Sequence, residues 1–146
     1  MKNIFPKRLS LCVCILLSAT HAATEAAANR FPPCPDSPNC VSSQSADQKR
    51  FIDPLQYAGS LTDARQKLIS LLQNTKRVRL VKVETDYIHA EFRSFIFRFV
   101  DDVEFYFPPA ETIIHVKSAS RVGYYDFSAN RRRVERIRST FKNLAN

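Results

Sequence analysis

Three carboxylates stand close together in the chain, at Asp101, Asp102 and Glu104, inside a segment whose apolar residues alternate in the manner of a β-strand. Because successive side chains of a strand point to opposite faces, Asp102 and Glu104 share one face and Asp101 lies on the other. Two carboxylates at this spacing can raise one another's pKa, hold a cation or pair with an arginine. The alternative interpretation is a solvated or salt-bridged bend near the start of the strand.

A run of hydroxyl and basic residues follows from Lys117 to Gly123. Ser118 and Ser120 share one strand face, so that two hydroxyls, and after them the guanidinium of Arg121, are available to a ligand. Gly123 is one of only two glycines in the chain, which indicates a special backbone conformation at that position. The alternative is that both hydroxyls are structural and bond to neighbouring backbone.

Arginines crowd the start of the last predicted helix, which reads Asn130-Arg131-Arg132-Arg133. Cations in a first turn oppose the helix macrodipole, at a cost on the order of 1 kcal/mol unless negative charge compensates them. Asp126 supplies part of that charge, and Asp101, Asp102 or a bound anion would supply the rest. Alternatively, the arginines spread around the helix and face water.

Two cysteines, Cys34 and Cys40, enclose the turn-forming segment Pro35-Asp36-Ser37-Pro38-Asn39. This segment lets the chain fold back on itself, and we predict a Cys34–Cys40 disulfide, which would stabilise the fold by about 2 kcal/mol in the chain-entropy view. A tetrahedral zinc site needs more ligands than two cysteines without a nearby histidine, so no metal site is predicted. A redox-active pair is the remaining alternative, although the C-x-x-C spacing is missing.

The N-terminal segment indicates whether Cys34 and Cys40 are exported to an oxidising compartment. Three cations precede the apolar run 9–19, and small residues then lead to Ala22. This layout predicts a secretory signal peptide over residues 1–22, cleaved near Ala22, and a periplasmic or secreted mature protein. The apolar run, about 11 residues long, is too short to span a bilayer as a helix. An uncleaved membrane anchor is the alternative.

Composition indicates one small domain with a mild positive charge. Removal of 22 residues from the 146 leaves 124, which suits a flexible leader over 23–31 and a single globular domain over 32–146. The net charge is +8, and loss of the three cations of the signal peptide lowers it to +5. That charge favours an anionic membrane surface or an acidic ligand, but it falls short of the basic footprint of a nucleic-acid binder.

Hydrophobic periodicity predicts two helices and a strand-rich middle. The helices cover about 62–74, with Thr62 as N-cap, and a C-terminal stretch with Ser128 as N-cap. Alternating apolar residues predict extended segments at 78–83, 87–93, 95–100, 102–107 and 114–117, and a short edge strand within 51–57. We expect the cystine segment 31–45 to be an ordered loop.

A helix, a series of strands and a second helix, in that order, predict an α+β fold with the architecture of a two-layer sandwich. An antiparallel sheet of four to five strands would carry both helices on one face, and its period-two patterning leaves the other face partly polar. Glu104, Tyr106, His115 and Lys117 are among the residues of that second face.

Four motifs together resemble one known family. They read Cys34-Pro35-Asp36-Ser37-Pro38-Asn39-Cys40-Val41-Ser42-Ser43, Phe99-Val100-Asp101-Asp102-Val103-Glu104-Phe105, Ser118-Ala119-Ser120-Arg121-Val122-Gly123-Tyr124, and Asp126 with Asn130-Arg131-Arg132-Arg133. In this order, and over residues 32–142, they are similar to the domain-of-unknown-function 1499 family, which occurs in bacteria, often exported or membrane-attached, and in photosynthetic eukaryotes. The resemblance implies a single-domain fold and a shared motif set, and it implies no reaction.

The motifs and the polar clusters together give ten candidate binding residues: Asp101, Asp102, Glu104, Lys117, Ser118, Ser120, Arg121, Asp126, Asn130 and Arg133. Lys117 departs from the arginine that the family resemblance leads us to expect before the Ser-x-Ser-Arg motif. It keeps the positive charge but lacks the bidentate fork with which arginine recognises carboxylate or phosphate.

Three functions follow as alternatives. The first is a periplasmic binding or interaction domain, in which Arg121, Arg133 and Lys117 face the carboxylates and receive a small anionic ligand or an envelope protein. The second is a hydrolase of an envelope component with Ser120 or His115 in a chemical role, although no complete catalytic set is visible and no catalytic residue is assigned. The third is a structural accessory protein with an internal salt-bridge network. No cofactor is predicted, because two glycines cannot build a phosphate-binding loop and nothing suggests haem, flavin or zinc.

Overall fold

The structure, a computed structural model, describes residues 29–144. The predicted signal peptide and most of the predicted leader lie outside these residues. The elements are β1 (Cys40–Ser42), β2 (Leu55–Gln56), α1 (Leu61–Gln73), β3 (Val78–Val83), β4 (Tyr87–Arg93), β5 (Val100–Tyr106), β6 (Ile113–Ser120) and α2 (Ala129–Leu144). No helix within residues 29–144 is long and apolar enough to cross a membrane.

The strands form one antiparallel sheet in the order β1-β6-β5-β4-β3, and β2 pairs with β6 on the same edge as β1. Strands β3 to β6 are neighbours in both sequence and space, as short connections between successive strands require. The predicted α+β fold with an antiparallel sheet is therefore confirmed. The sheet has six strands rather than four to five, because the cystine segment, expected to be a loop, contributes β1.

Both helices pack on one face of the sheet, as predicted. The core joins Leu72 of α1 and Phe141 of α2 to alternate strand residues such as Val103 and Phe105, all of them buried. Burial of alternate residues is what the period-two pattern of these strands requires when only one face is covered by helices.

Side chains other than the predicted ones cap the two helices. The N-cap of α1 is Ser60 rather than Thr62, and its hydroxyl accepts a hydrogen bond from a backbone N–H of the first turn (3.0 Å). At the start of α2 the carboxylate of Asp126, rather than Ser128, accepts hydrogen bonds from the backbone N–H groups of Ser128 (2.9 Å) and Asn130 (2.8 Å). Asp126 thus places negative charge at the helix end that favours it.

The segment 95–99 is a loop, contrary to its alternating pattern. Ser94 closes this loop because its hydroxyl accepts from the Phe99 N–H (2.9 Å) and its own N–H donates to the Phe99 carbonyl (2.8 Å). The aromatic residues that we expected in the core are therefore exposed to solvent, Phe95 by 77% and Phe97 by 72%.

Candidate functional site

The predicted Cys34–Cys40 disulfide is present, with a distance of 5.7 Å between the two Cα atoms. Cys40 is the first residue of β1 and pairs with Ala119 of β6. The disulfide therefore holds the motif segment Pro35–Asn39 against the end of β6, where the other motif residues lie.

A buried polar network lies between the end of β6 and the first turns of α2. We call it the inner network, and its members are Asn39, Asp101, Ser118, Ser120, Asp126, Asn130 and Arg133. The fully buried Asn130 is at its centre. Its Oδ1 accepts hydrogen bonds from Ser118 Oγ (2.6 Å) and Arg133 Nη1 (2.6 Å), and its Nδ2 donates to Ser120 Oγ (2.9 Å) and to the Asn39 carbonyl (2.9 Å). The amide thus links three separate segments of the chain.

Arg133 brings the positive charge of the inner network. Its guanidinium donates to the carboxylate of buried Asp101 and lies 5.2 Å from the centre of the Phe92 ring. Asp101 and Asp126 together supply negative charge beside the first turn of α2, as one alternative in the sequence predicted. Removal of either partner would leave the other charge buried without compensation and would destabilise the folded state.

A second network lies on the opposite face of the sheet. We call it the outer network, and its members are Arg79, His89, Glu91, Asp102 and Arg121. Arg121 donates to both oxygens of Asp102 (2.8 Å each) and to Glu91 (2.6 Å). Glu91 also accepts from Arg79 (2.8 Å), and Asp102 also bonds to His89 Nε2 (2.7 Å). These contacts cross-link β3, β4, β5 and the end of β6.

The outer network keeps its two carboxyl groups ionised. Hydrogen bonds from Arg79 and then Arg121 hold the pKa of the Glu91 carboxyl below its usual range. Burial by itself would raise the pKa of Asp102, but hydrogen bonds from Arg121 and His89 outweigh burial, so that this pKa is lowered as well. Neither carboxyl has the raised pKa that a general acid near neutral pH needs.

Glu104 and Lys117 are cross-strand neighbours on the outer face, yet they do not pair with each other. Glu104 accepts a hydrogen bond from the hydroxyl of Tyr87 (2.5 Å), and burial, followed by this bond, raises the pKa of Tyr87. Lys117 is buried and donates to the carbonyl of Pro32 (2.9 Å). The chain around Pro32 therefore lies across the outer face of the sheet.

The sheet separates Ser118 and Ser120 from His115. Ser118 and Ser120 belong to the inner network, whereas His115 lies on the outer side and bonds through Nδ1 to the hydroxyl of Ser43 (3.1 Å). Burial lowers the pKa of His115, against a smaller opposing effect of Glu111. Ser43 is itself buried and its oxygen also accepts a backbone N–H, so that it links β1 to β6 and is not an accessible nucleophile.

The ten predicted binding residues therefore do not meet in one site. Six belong to the inner network: Asp101, Ser118, Ser120, Asp126, Asn130 and Arg133. Asp102 and Arg121 belong to the outer network, with Glu104 and Lys117 bonded beside it. Their polar groups are engaged within the chain, and a binding role for them stays a prediction. Within residues 29–144, no three His, Cys, Asp or Glu side chains are grouped to hold a metal ion.

Three connections meet at one end of the sheet, which we call the loop end. They are the α1–β3 connection 74–77, the β4–β5 connection 94–99 and the β6–α2 connection 121–128. Antiparallel pairing places them together, since the Arg93 N–H donates to the Arg77 carbonyl (3.0 Å) and the Arg121 N–H to the Val100 carbonyl (3.2 Å). Two of these connections carry most of the exposed large hydrophobic residues of the described chain: Phe95, Ile96, Phe97, Phe99, Val122, Tyr124, Tyr125 and Phe127.

The loop end also carries cations. Lys76, Arg77, Arg93 and Arg98 lie in or next to the connections, and none of them has a carboxylate partner within residues 29–144. Asp126 is the only acidic residue of the three connections, and its carboxylate already caps α2. The loop end is therefore both apolar and positively charged.

The backbone of the loop end is strained. Arg77 (φ 63°), Arg98 (φ 56°), Phe127 (φ 50°) and Ser128 (φ 62°) adopt the left-handed region, and no other non-glycine residue within 29–144 does. Each such residue costs about 1 kcal/mol or more relative to an ordinary conformation. Strained residues of this kind are found most often at functional sites. They persist because the surrounding structure holds them in an unfavourable conformation.

Sequence reasoning missed the loop end because the alternation of Phe95, Phe97 and Phe99 was assigned to a buried strand face. The signal that could have revealed it is Ile96, which makes the other face of that segment apolar as well. A strand with one solvated face has polar residues there. The second signal is the aromatic run after Gly123, which fits neither helical nor strand periodicity.

Comparison with known proteins identifies a family. The sequence model of a family described as "Protein of unknown function (DUF1499)" matches residues 30–141. This range includes the disulfide, both networks and the loop end. No curated protein and no solved structure matches the chain.

Proposed function

The chain belongs to the DUF1499 family, and from that premise we propose that it is an exported interaction module that attaches to an anionic membrane surface of the cell envelope through its loop end. The observation that carries the proposal is the gathering of exposed aromatic residues and cations at one end of the sheet. Its location outside the cytoplasm rests on the predicted signal peptide over residues 1–22.

The aromatic residues supply the apolar part of the attachment. Phe97 and Phe127 stand on different connections and are exposed by 72% and 82%. A phenylalanine side chain that passes from water into an apolar medium contributes about 1.5–3 kcal/mol. Aromatic and aliphatic residues at the boundary between head groups and acyl chains are typical of proteins that lie on a membrane without crossing it.

The cations supply the electrostatic part. Each arginine or lysine that approaches an anionic bilayer contributes about 1 kcal/mol. Arg77, Arg93 and Arg98 flank the aromatic residues, and their long side chains keep the charge at the head groups while the loops insert. A few apolar insertions with a few such cations give reversible attachment rather than permanent anchoring.

A second copy of the chain is a poorer partner for this surface. A symmetric dimer would bring the same patch of each copy together, and the cations of one loop end would face those of the other. Since the only acid of the connections, Asp126, is occupied as a helix cap, no carboxylate of the connections is free to neutralise the repulsion. An anionic surface neutralises the same charges.

In this proposal the polar Asp, Arg and Ser residues of the two networks hold the loops in position and do not contact the membrane themselves. The inner network holds both ends of the β6–α2 connection, since Asn39 Nδ2 donates to the Gly123 carbonyl and Asp126 caps α2. The outer network holds Arg121, the first residue of that connection, against Asp102.

Co-sedimentation with lipid vesicles tests the proposal. We expect the wild-type protein to bind vesicles of equimolar phosphatidylcholine and phosphatidylglycerol, and to bind pure phosphatidylcholine weakly. The double variant Phe97→Ser/Phe127→Ser should bind the anionic vesicles about tenfold or more weakly, because two apolar side chains are lost from the contact.

The matched control is Val83→Ser/Leu144→Ser, which removes two exposed apolar side chains far from the loop end. It should bind as the wild type does. Because all variants are compared in the same mature chain, a difference between them reports on the substituted residues alone. Equal binding by the loop variant and the wild type would overturn the proposal. The proposal would also be overturned if the wild-type protein did not bind vesicles but formed a crosslink from residue 97 to an envelope protein.

A further inference from the structure

A basic cleft opens beside Phe95 at the loop end, with a volume of about 320 Å³. Its charged lining consists of six cations and contains no acid: Lys76, Arg77, Arg93, Arg132, Arg133 and Arg136. We propose that this cleft binds a phosphate group, as an ester on a lipid head group or on a soluble metabolite. The lipid case rests on the function proposed above, whereas the phosphate chemistry does not.

The six cations come from three separate parts of the fold. Lys76 and Arg77 lie in the α1–β3 connection, Arg93 ends β4, and the remaining three lie on the first turns of α2. Residues 132, 133 and 136 share one helix face, because residues three and four apart are neighbours on a helix. The fold therefore brings like charges together from distant positions in the sequence.

This convergence of like charges has an unfavourable electrostatic energy. Lys76, Arg93 and Arg136 have neither a carboxylate partner nor a side-chain hydrogen bond within residues 29–144. Like charges brought together in one cleft repel one another. A bound phosphate ester would relieve this repulsion, because its negative charge would lie between the cations.

Parts of the cleft are held rigid, as a binding site requires. Arg133 is fixed by its bonds to Asp101 and Ser118 and forms a neutralised wall next to Phe92. The guanidinium of Arg77 lies over the Phe95 ring, at 5.2 Å from the centroid. The planar guanidinium groups that remain suit the bidentate recognition of phosphate oxygens.

Position links the cleft to the membrane. Phe95 lines the cleft and belongs to the same connection as Phe97, so a phosphate seated between the cations would lie next to the apolar side chains that enter the bilayer. This is the arrangement of a lipid, whose phosphate stands directly above its acyl chains. The geometry therefore suits an amphiphile whose phosphate lies directly above its acyl chains.

Titration calorimetry with sn-glycerol 1-phosphate tests the phosphate chemistry without any membrane. The double variant Arg93→Gln/Arg136→Gln should bind this probe at least tenfold more weakly than the wild type, because two charge-assisted hydrogen bonds are lost. The control Lys67→Gln/Lys142→Gln removes the same amount of charge elsewhere on the two helices and should bind normally. Thermal unfolding of each variant confirms that it is folded.

Two further arms separate this inference from the proposed function. The loop variant Phe97→Ser/Phe127→Ser should still bind glycerol phosphate, even where it no longer binds vesicles. The second arm compares phosphatidylglycerol vesicles with oleate vesicles of equal surface charge. If the cleft variant loses the wild-type preference for phosphatidylglycerol, the ligand is a lipid, and if it keeps that preference, the ligand is a soluble phosphate ester. Absence of glycerol phosphate binding by the wild type, or equal binding by the cleft variant, would overturn the inference.

Discussion

Asn130 shows how a single side chain organises the motif residues. Its amide makes hydrogen bonds to Ser118, Ser120 and Asn39, so that both its oxygen and its nitrogen have partners inside the protein. A buried amide with every group satisfied favours one arrangement of the surrounding segments, because any alternative leaves a buried polar group without a partner. These hydrogen bonds give the motif residues of this region a role in fixing the fold, and a binding role for them stays a prediction.

Removal of the arginine of the inner network should be costly. Arg133→Met leaves the Asp101 carboxylate buried with no cation beside it, and we expect the free energy of unfolding to fall by about 3–5 kcal/mol. Urea denaturation monitored by circular dichroism measures the loss. The pair variant Asp101→Leu/Arg133→Met removes both charges and should recover most of it. Equal loss in the single and pair variants would show that the uncompensated carboxylate is not the cause.

For single residues, the sequence predicts which side chains share a face of the sheet, but not which acidic and basic residues pair. The period of two placed Asp102 with Glu104 and Ser118 with Ser120, and the structure agrees. The pairing of Arg133 with Asp101 depends on how α2 lies on the sheet, and the pairing of Arg121 with Asp102 depends on the register of β5 and β6. Residue spacing along one element contains no information about either, so several acid–base pairings were equally consistent with the sequence.

The β4–β5 connection shows the corresponding limit for whole elements. An antiparallel hairpin needs a reversal, and the residues that make it are decided by the register of the two strands. In that register Arg93 pairs with Val100, which leaves the aromatic residues between them in the turn. Both helices and the strands other than β1 were predicted to within a few residues, because the core-facing residues of each have a clear period. The aromatic loop was not, because its sequence imitates a strand.

Strain in the β6–α2 connection leads to a second prediction. Phe127 has a positive φ of 50° and is 82% exposed, so that its side chain contributes little packing while its backbone is strained. Phe127→Asn should raise the free energy of unfolding by about 1 kcal/mol, since asparagine tolerates the left-handed conformation. The same variant should bind anionic vesicles more weakly. Thermal denaturation and vesicle co-sedimentation on one preparation measure both effects.

Phe97→Asn is the matched control for this substitution. It also removes an exposed phenylalanine from the loop end, but position 97 is not among the residues with positive φ. We therefore expect weaker vesicle binding and no gain in stability. A gain of equal size at both positions would mean that general surface polarity, and not release of backbone strain, is responsible. Opposite effects on stability and binding at residue 127 would identify the strain as the cost of function.

For the molecule as a whole, the two faces and one end of the sheet have different tasks. One face carries both helices and the core, the outer face carries a charged network, and the loop end carries the exposed aromatic residues. The α+β class followed from the order and period of the elements. The segregation of exposed aromatic residues to one end could not be read from the sequence, because it results from the sheet order, which brings residues 94–99 and 121–128 together.

The outer network should make global stability depend on pH in a defined direction. Hydrogen bonds from arginines lower the folded-state pKa of Glu91 and Asp102, so that the unfolded chain takes up protons at these groups before the folded chain does. Their stabilising contribution is present above the ordinary carboxyl pKa of about 4 and is lost as the pH falls through the folded values.

His115, outside that network, adds a second pH dependence. Burial lowers the pKa of His115, so the contribution of this residue to stability is lost as the pH falls below about 6.5.

Urea denaturation at a series of pH values checks this dependence. The free energy of unfolding should fall in two steps as the pH decreases, the first below about 6.5 and the second below about 4. His115→Gln should remove the first step alone, and Arg121→Gln should weaken the second, because both carboxylates lose a partner. The difference between wild type and Arg121→Gln should therefore shrink at acid pH, where protonation has already broken the network. A difference that stays constant from neutral to acid pH would show that Arg121 stabilises the sheet by packing and not by charge.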